Sequence, residues 1–237
     1  MASEAQTTAD FYATPRGAMV ARLLRERLGT LWPALDGQSV LGLGYAAPYL
    51  RLWREQAQRC IALTPEPAAA VRWPAGLPNL SCTGQEDALP FPDLCFDRIL
   101  VMHGLEVAEN ARRLLREVWR VLKDDGRLLV VAPNRRGMWA YVENTPFGHG
   151  QPYSAGQIDR LLAASLFRVE RRDAALFMPP LRLRPILRSA RLLEHGARRL
   201  LPPAMAGLTL TEATKDMYAA VPIQARPTHR ITLAEAA

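Results

Sequence analysis

The fold is decided by the stretch Val40-Leu41-Gly42-Leu43-Gly44-Tyr45-Ala46-Ala47-Pro48-Tyr49-Leu50, in which an apolar strand meets a glycine turn and then a helix. Pro48 suits the first turn of that helix, because a backbone N–H at this position would have no partner inside the helix. A glycine turn between a strand and a helix lets the backbone approach a ligand closely and directs N–H groups at anionic groups. A turn that only reverses the chain would have the same residues, so both interpretations stay open.

Strands and helices alternate on both sides of this stretch. The apolar patterns predict strands over about 39–43, 60–63, 80–83, 96–102, 127–132 and 167–173, and helices over 15–31, 48–57, 67–72, 111–123 and 154–164. Such alternation predicts an α/β domain with a mostly parallel sheet and helices on both faces. Residues 207–214 alternate between apolar and polar, which predicts an antiparallel edge strand. We expect ligands to bind beyond the carboxyl ends of the parallel strands.

Composition bounds the class of protein. The chain has 237 residues, of which 49% are hydrophobic, enough for one domain with a sizeable core. No stretch is apolar enough for a transmembrane helix, and the N-terminus lacks the segments of a secretory signal, so we expect a cytoplasmic protein. The three cysteines are isolated, and no spacing indicates a metal site. We expect an N-terminal helical cap over 1–38, a main domain over 39–215 and an extended tail over 216–237.

The net charge of +7 is unevenly distributed along the chain. A basic amphipathic segment over 181–201 contains six arginines between residues 182 and 199, against a single acid, Glu194. A solvated helix face accounts for this pattern, and so does a surface that binds an anionic membrane or an acidic protein. We do not expect nucleic-acid binding, because aromatic residues do not interleave the arginines.

Two further stretches have a recognisable order. Residues 85–97 read QEDALPFPDLCFD, and residues 114–134 read LLREVWRVLKDDGRLLVVAPN. Together with the strand, turn and helix at 40–50, they resemble the class I S-adenosylmethionine-dependent methyltransferases of the small-molecule group called type 11, over residues 39–173. The resemblance implies a Rossmann-like, seven-stranded, mostly parallel sheet whose final strand, over 207–215, inserts antiparallel between two parallel strands. It also implies S-adenosylmethionine as the cofactor.

The resemblance further implies that the glycine loop contacts the cofactor. The family pattern VLDLGCGTG corresponds to residues 40–48, where Gly44 keeps its glycine. Gly42 replaces the family's acid, Tyr45 its small residue, Ala46 its second glycine and Pro48 its third. If Ala46 keeps a left-handed turn, alanine there stores roughly 1 kcal/mol of strain, and Ala46→Gly should stabilise the fold or leave it unharmed. Restoring the acid by Gly42→Asp should strengthen cofactor binding if the pocket is open.

Other cofactor contacts are implied at the ends of the second and third strands. Thr64 stands where the family has an acid that binds both ribose hydroxyls, and Glu66 follows two residues later. Gln85, Glu86 and Asp87 occupy the position that meets the adenine edge. Because Thr64 cannot accept two hydrogen bonds as a carboxylate does, about 1.5–3 kcal/mol of binding is lost. We therefore expect S-adenosylmethionine to bind weakly, in the tens of micromolar or worse, or to be lost altogether.

Three residues are candidates for catalysis: His103, His149 and Tyr153. His103 follows the fourth strand, at the ligand end of the sheet, where it is a candidate for cofactor contact and for general base, because histidine as a residue type titrates near neutrality. A structural histidine bonded to a neighbouring loop would explain the same position. His149 and Tyr153 belong to residues 145–154, TPFGHGQPYS, which are predicted to form a lid loop on the substrate side.

Several other polar residues surround the expected site. Glu106 is predicted to begin a helix, Tyr12 and Arg16 to cover the pocket from the N-terminal side, and residues 133–139 to hold an acceptor or to cover the sheet edge. We therefore expect a methyltransferase that uses S-adenosylmethionine and acts on a small or lipophilic acceptor. The alternative is a non-catalytic protein of the same fold that serves as a binding or regulatory module with weak or no cofactor binding.

Overall fold

The computed structural model describes residues 2–68, 70–180 and 184–217, with side chains over 8–68, 70–180 and 189–217. Beyond its first two residues, the tail expected over 216–237 lies outside the described residues. Within the described part of the chain, no helix is long and apolar enough to cross a membrane.

One sheet of seven strands forms the centre of the molecule. The strands are β1 (Ser39–Gly44), β2 (Arg59–Pro65), β3 (Ser81–Gly84), β4 (Phe96–Met102), β5 (Leu122–Pro133), β6 (Phe167–Ala175) and β7 (Leu208–Lys215). Their order is β3-β2-β1-β4-β5-β7-β6, and β7 is antiparallel to both of its neighbours while the other pairs are parallel. The expected Rossmann-like, mostly parallel sheet with an antiparallel final strand is therefore confirmed.

The position of β7 corrects one prediction. Alternation along 207–214 predicted an edge strand, but β7 lies between β5 and β6. Its polar side chains are buried as well, because helices or loops cover both faces of the sheet here; Thr209, Thr211 and Glu212 are all less than a tenth exposed. Alternation reports which residues are polar, and it cannot report whether a strand has one neighbour or two.

Helices cover both faces of the sheet. They are α1 (Ala2–Ala13), α2 (Pro15–Leu31), α3 (Ala47–Leu50), α4 (Ala111–Val121), α5 (Ala155–Ala164) and α6 (Arg184–Leu200), and single 3-10 turns occur at Met138–Tyr141, Pro146–Gly148 and Pro203–Met205. Buried side chains of α2 and α3 and Ala190 of α6 pack in one core cluster, whereas those of α4 and α5 pack in another with the opposite side chains of the strands. The ligand end of the sheet therefore lies between two packed layers.

Local signals explain the helices that the sequence predicted. In α4, four apolar residues at helical spacing are fully buried, and Asn110 caps the helix by accepting from the backbone N–H of Arg113 at 3.1 Å. In α5, Ser154 and Gln157 form a reciprocal capping box, as expected from Ser154 as the N-cap. These helices are determined by residues within one or two turns of each other.

Three helical predictions differ from the structure. The polar N-terminus, for which no helix was predicted, forms α1, whose Phe11 is buried in the core. The helix predicted over 48–57 is a single α-turn, Ala47–Leu50, continued by turns. No helix forms over the described residues of 67–72, where prolines at 65, 67 and 74 remove backbone donors. In each case a proline or a tertiary contact outweighed the local pattern.

The turn after β1 depends on Gly44. Its φ is +82°, and a Cβ at this position would lie 2.4 Å from the carbonyl oxygen of Met102, at the end of β4. The next residue, Tyr45, donates its backbone N–H to that same oxygen at 2.8 Å. Only glycine combines this backbone conformation with so close an approach.

Gly44→Ala is expected to lower the free energy of unfolding by about 3 kcal/mol or more, because it adds a backbone clash to the left-handed strain. Gly37→Ala is a matched control: Gly37 has a φ of +68°, but a Cβ there would have no atom within 4 Å, so only the strain of about 1–2 kcal/mol remains. Urea unfolding of the two variants measures the difference. Equal losses would contradict the contact between Gly44 and Met102.

Candidate active site

A cavity of about 440 Å³ lies at the carboxyl ends of β1, β2 and β4. Its volume is in the range of sites for small ligands, and its place is where parallel sheets bind them. The described residues that line it come from the strand ends, from α1 and from the loop before α5: Thr8, Ala9, Gly44, Tyr45, Ala47, Ala62, Thr64, Pro65, Glu66, Pro67, Ala68, Ala70, Val71, Ser81, Glu86, His103, Gly104, Glu106, Val107, Pro146 and His149. Most of these side chains are small and apolar, whereas the acids and histidines are few.

A chain of hydrogen bonds runs beside this cavity. Tyr49 donates its hydroxyl to the Tyr12 hydroxyl at 2.9 Å, and the Tyr12 hydroxyl lies 2.8 Å from Nε2 of His103. On the other side of the ring, Nδ1 of His103 lies 3.0 Å from Oε1 of Glu106. If Tyr12 accepts from Tyr49 and donates to Nε2, then Nδ1 carries the proton that binds Glu106. The arrangement gives His103 a basic Nε2 that faces a hydroxyl group.

Burial determines the protonation of the two tyrosines. Burial raises the pKa of Tyr12 well above its ordinary value, and Tyr49 and Glu106 nearby raise it further. Burial also raises the pKa of Tyr49. Both phenols therefore stay protonated at neutral pH and can act as donors, which supports the direction of the hydrogen bonds towards His103.

Two features of this network are unusual for a purely structural histidine. His103 has a φ of +50°, a backbone conformation that side-chain-bearing residues rarely adopt and that is often found at functional sites. Oε2 of Glu106 is buried and has no hydrogen-bond partner among the described residues. A buried carboxylate oxygen without a partner costs about 1–3 kcal/mol. The unpartnered oxygen leaves Glu106 able to accept a further hydrogen bond.

The residues present fit the cofactor that the fold family uses. Glu66 lies just beyond β2, lines the cavity, and has no side-chain partner among the described residues, so its two oxygens can accept from a pair of ribose hydroxyls. Thr64 also lines the cavity and can add one hydrogen bond. Glu86 lines the wall next to them, with one oxygen already bound to the backbone N–H of Asn110 at 2.9 Å. The structure therefore places a carboxylate on the cavity wall two residues after Thr64, where the family pattern has its acid.

Two loop residues that the resemblance implied as cofactor contacts do not line this cavity. Gly42 lies inside β1, and a Cβ there would be 2.6 Å from Cβ of Ala46 and 2.7 Å from Cδ1 of Leu50. Ala46 is fully buried and has a φ of −90°, so the left-handed turn considered for it from the sequence is absent and Ala46 has an ordinary conformation. The left-handed residue is Gly44, and the methyl group of Ala46 fills the space beside Gly42. Ala46→Gly should therefore destabilise the fold, contrary to the expectation from the sequence.

Other predicted residues also lie away from the cavity. Gln85 forms a backbone bridge with Ala88, and Asp87 pairs with Arg113 at 3.4 Å on the surface, so Glu86 alone of residues 85–87 lines the wall. Tyr153 does not line it either, because its hydroxyl is 3.4 Å from the carbonyl oxygen of Leu105. Tyr153 supports the loop after β4 from outside.

The loop predicted to form a lid contributes two residues to the wall of the cavity. Pro146 and His149 line the cavity. The loop is held firmly, because the backbone N–H of Gln151 donates to the carbonyl oxygen of Glu106 at 2.8 Å and Gly150 packs against the same carbonyl. Its glycines allow close packing at this point and do not indicate a hinge.

The residues expected to cover the pocket have different roles. Tyr12 stacks on Tyr45, with ring centroids 5.0 Å apart, in addition to its hydrogen bond with His103. Arg16 does not line the cavity: it bonds the side chain of Asn144 at 3.1 Å and the carbonyl oxygen of Pro180 at 3.3 Å. Within α1, Thr8 and Ala9 reach the cavity wall itself. The N-terminal helix is therefore part of the site.

Residues 133–139 cover the sheet edge, as one of the two interpretations predicted. Asn134 donates to the carbonyl oxygens of Ala204 and Ala206 at 3.0 and 2.8 Å, and buried Trp139 donates to that of Met178 at 2.8 Å.

No cluster of three possible metal ligands occurs among the described residues.

The role of Glu106 was not predicted from the sequence. Glu106 was expected to begin a helix, but α4 begins five residues later, and Glu106 is buried against His103. The three-residue spacing between His103 and Glu106 was a usable signal, because a turn after a strand brings such residues together. The hydrogen bond from Tyr49 to Tyr12 left no comparable signal in the sequence, because Tyr12 lies in α1.

Comparison with known proteins agrees with this geometry. Residues 39–130 match the sequence profile of a family described as "Methyltransferase domain". The chain is 27% identical over 173 residues to a demethylmenaquinone methyltransferase of Thermus thermophilus, a match that covers 72% of this chain and 68% of that protein. It is 49% identical over 45 residues to the ubiquinone/menaquinone biosynthesis C-methyltransferase UbiE of an Enterobacter species, but this match covers only 19% of the chain and 18% of the relative.

A solved structure shares the fold. A methyltransferase of Thermotoga maritima, described as a possible histamine N-methyltransferase, superposes with a TM-score of 0.60 over 87% of this chain and 93% of its own. Sequence identity in that pair is 17%, so the likeness concerns the fold alone.

Gly42→Asp is expected to lower the free energy of unfolding by about 2 kcal/mol or more, because the new side chain meets Ala46 and Leu50 and buries a charge. It should not strengthen cofactor binding, in contrast to the expectation from the sequence. The matched control is Gly29→Asp, at a helix position with no atom within 4 Å of a Cβ. A stable Gly42→Asp variant that binds S-adenosylmethionine more tightly by calorimetry would show that the loop can open.

Proposed function

We propose that this chain, a member of the class I S-adenosylmethionine-dependent methyltransferase superfamily, transfers a methyl group to a small, lipophilic acceptor that carries a hydroxyl group. The single observation that carries the proposal is the pair His103–Glu106, in which Nδ1 of the ring is bonded to the carboxylate and Nε2 to a hydroxyl beside the cavity. The names of the relatives, which concern quinone precursors, support a lipophilic acceptor. The largely apolar wall of the cavity is consistent with one.

The hydroxyl of Tyr12 occupies the position that an acceptor hydroxyl would take. An acceptor that displaced it would present its proton to Nε2 of His103, and His103 would act as the general base. Glu106 would orient the ring through Nδ1 and stabilise the positive charge that the imidazole gains. The deprotonated acceptor would then be a strong nucleophile at oxygen or at a ring carbon conjugated with it.

Cofactor binding would use the opposite side of the cavity. Glu66 would accept from the ribose hydroxyls, with Thr64 as a secondary partner, and Glu86 would meet the adenine edge. Gly44 allows the backbone to approach the remaining part of the cofactor closely. When bound there, S-adenosylmethionine supplies an electrophilic methyl group on a sulfonium centre. The protein's contribution is to align the acceptor with that centre, to exclude water and to remove the acceptor's proton.

His103→Gln and Glu106→Gln are expected to lower kcat by about 10²–10⁴-fold, the usual contribution of general base catalysis. The measurement is transfer of labelled methyl from S-adenosylmethionine to reduced demethylmenaquinone and to a panel of lipophilic phenols. The dissociation constant of the cofactor should stay unchanged in both variants. His195→Gln, at an exposed position of α6, is the control. If the His103 variant has the kcat of the wild type on an accepted substrate, His103 is not the general base.

S-adenosylmethionine is expected to bind with a dissociation constant in the tens of micromolar, because Gly42 leaves the loop without its acid. Glu66→Gln should weaken binding by about tenfold or more, as it removes a charge-assisted partner of the ribose. Glu55→Gln is the matched control, since Glu55 is exposed and bonds Arg54. Calorimetric titration with the cofactor and its demethylated product measures both. If no binding is detected at millimolar ligand, the proposal of a methyltransferase is contradicted, and the alternative of a non-catalytic binding module of the same fold takes its place.

A further inference from the structure

Helix α6 is fixed to the molecule by its inner face. The carboxylate of Glu194 accepts three backbone N–H groups at residues 176–178, at 2.7, 2.8 and 3.1 Å. Arg198 pairs with Asp173, which also pairs with Arg27 of α2. These contacts hold the inner face of α6 against residues 173–178. The opposite face of the helix is therefore directed away from the rest of the molecule.

The outward face of α6 consists of Leu192, Leu193, His195, Arg199 and Leu200. Leu192 is 79% exposed, Leu193 42% and Leu200 83%. Single exposed leucines are common on protein surfaces, whereas three on one helix are unusual. Exposed apolar groups that lie together on one face of a helix indicate a surface with a partner.

The charge around this face is positive. Arg199 has no partner among the described residues, and the basic segment places further arginines at positions 184, 188 and 191 of the same helix. Of the acids nearby, Glu26 is already paired with Arg191 at 2.9 Å. The side chains of Arg184 and Arg188 lie outside the described residues, as does Arg182, so the sequence alone supports their part in this charge.

We propose that the outward face of α6 docks on an anionic lipid bilayer, with its leucines among the acyl chains and Arg199 among the headgroups. Arginines attract anionic headgroups, and their long stems allow the charge to reach them from beside a buried leucine. The interleaving of leucine and arginine favours a bilayer over an acidic protein, because charge pairing by itself does not require the leucines. This docking does not depend on methyl transfer, although it would bring a lipophilic acceptor close to the cavity.

Co-sedimentation with vesicles tests the docking. The full chain is mixed with vesicles of phosphatidylcholine alone, and of phosphatidylcholine and phosphatidylglycerol in roughly equal parts, at low and at physiological salt. We expect binding to the anionic vesicles, weakened by salt, and little binding to the neutral ones. Leu192→Gln/Leu200→Gln should lower the partition coefficient by about tenfold or more. Arg188→Gln/Arg199→Gln should lower it by about thirtyfold at low salt.

Matched controls change the same residue types on other surfaces. Leu94→Gln/Leu166→Gln removes two exposed leucines that lie outside α6. Arg112→Gln/Arg116→Gln removes two exposed arginines from α4, on the other face of the sheet, and takes the net charge from +7 to +5 just as the α6 pair does. Neither control should change binding. Because all the described positions are exposed, circular dichroism and thermal unfolding should be unchanged in every variant.

Three outcomes would overturn the proposal. The first is wild-type protein that stays in the supernatant with anionic vesicles at low salt. The second is a leucine variant that binds the anionic vesicles as tightly as the wild type, which would show that the leucines do not enter the bilayer. The third is an equal loss of binding in the α4 control, which would mean that net charge alone drives the association. Wild-type protein that binds the anionic vesicles but transfers no methyl group would contradict the proposed function and leave the docking intact.

Discussion

The site depends on one close contact, between the backbone of Gly44 and the carbonyl group of Met102. This contact joins the loop after β1 to the loop after β4, and a Cβ at position 44 would also lie 3.1 Å from the backbone of Gly104. Tyr45 leaves the first loop and His103 leaves the second, so their positions relative to each other follow from it. Tyr12 then stacks on one and bonds the other. A side chain at position 44 would push the two loops apart, and the side chains of Tyr45 and His103 would move apart with them.

The N-terminal helix completes what the two loops begin. Tyr12 reaches His103 from a point 91 residues earlier in the chain, and Phe11 and Phe147 meet edge to face beneath it, with centroids 5.9 Å apart. An acceptor that is to reach Nε2 of His103 must therefore displace a protonated phenol, whose burial keeps it a donor. Access to Nε2 of His103 is thus linked to the position of α1.

Two changes in the family motif are paired in the packing of the loop after β1. Gly42 removes the acid of the family pattern, and Ala46 fills the space beside it with a methyl group, so these two changes compensate for each other in packing. Thr64 removes the second acid, but Glu66 supplies a carboxylate on the same wall of the cavity. Substitutions that look independent along the chain are thus paired in the structure.

The sequence by itself determined the class of fold, because strand and helix patterns depend on residues a few positions apart. The apolar run at Phe96–Met102, the helix with its cap at Asn110 and the capping box of Ser154 all follow from local preferences. Resemblance to a family added the number of strands and the inner position of β7, which periodicity had assigned to an edge. The sequence also indicated which strand ends would meet, and hence His103, Thr64 and Glu66.

Only the tertiary structure decided which polar groups meet. The bonds from Tyr49 to Tyr12 and from Tyr12 to His103 join residues that have no fixed distance along the chain, and Gln85, Asp87 and Tyr153 lie off the cavity wall although each is close in sequence to a residue on it. The conformation of Ala46 was likewise set by packing against Gly42. Local patterns cannot determine such contacts, because hydrogen-bond geometry depends on distances of a few tenths of an ångström that the packing of the whole domain decides.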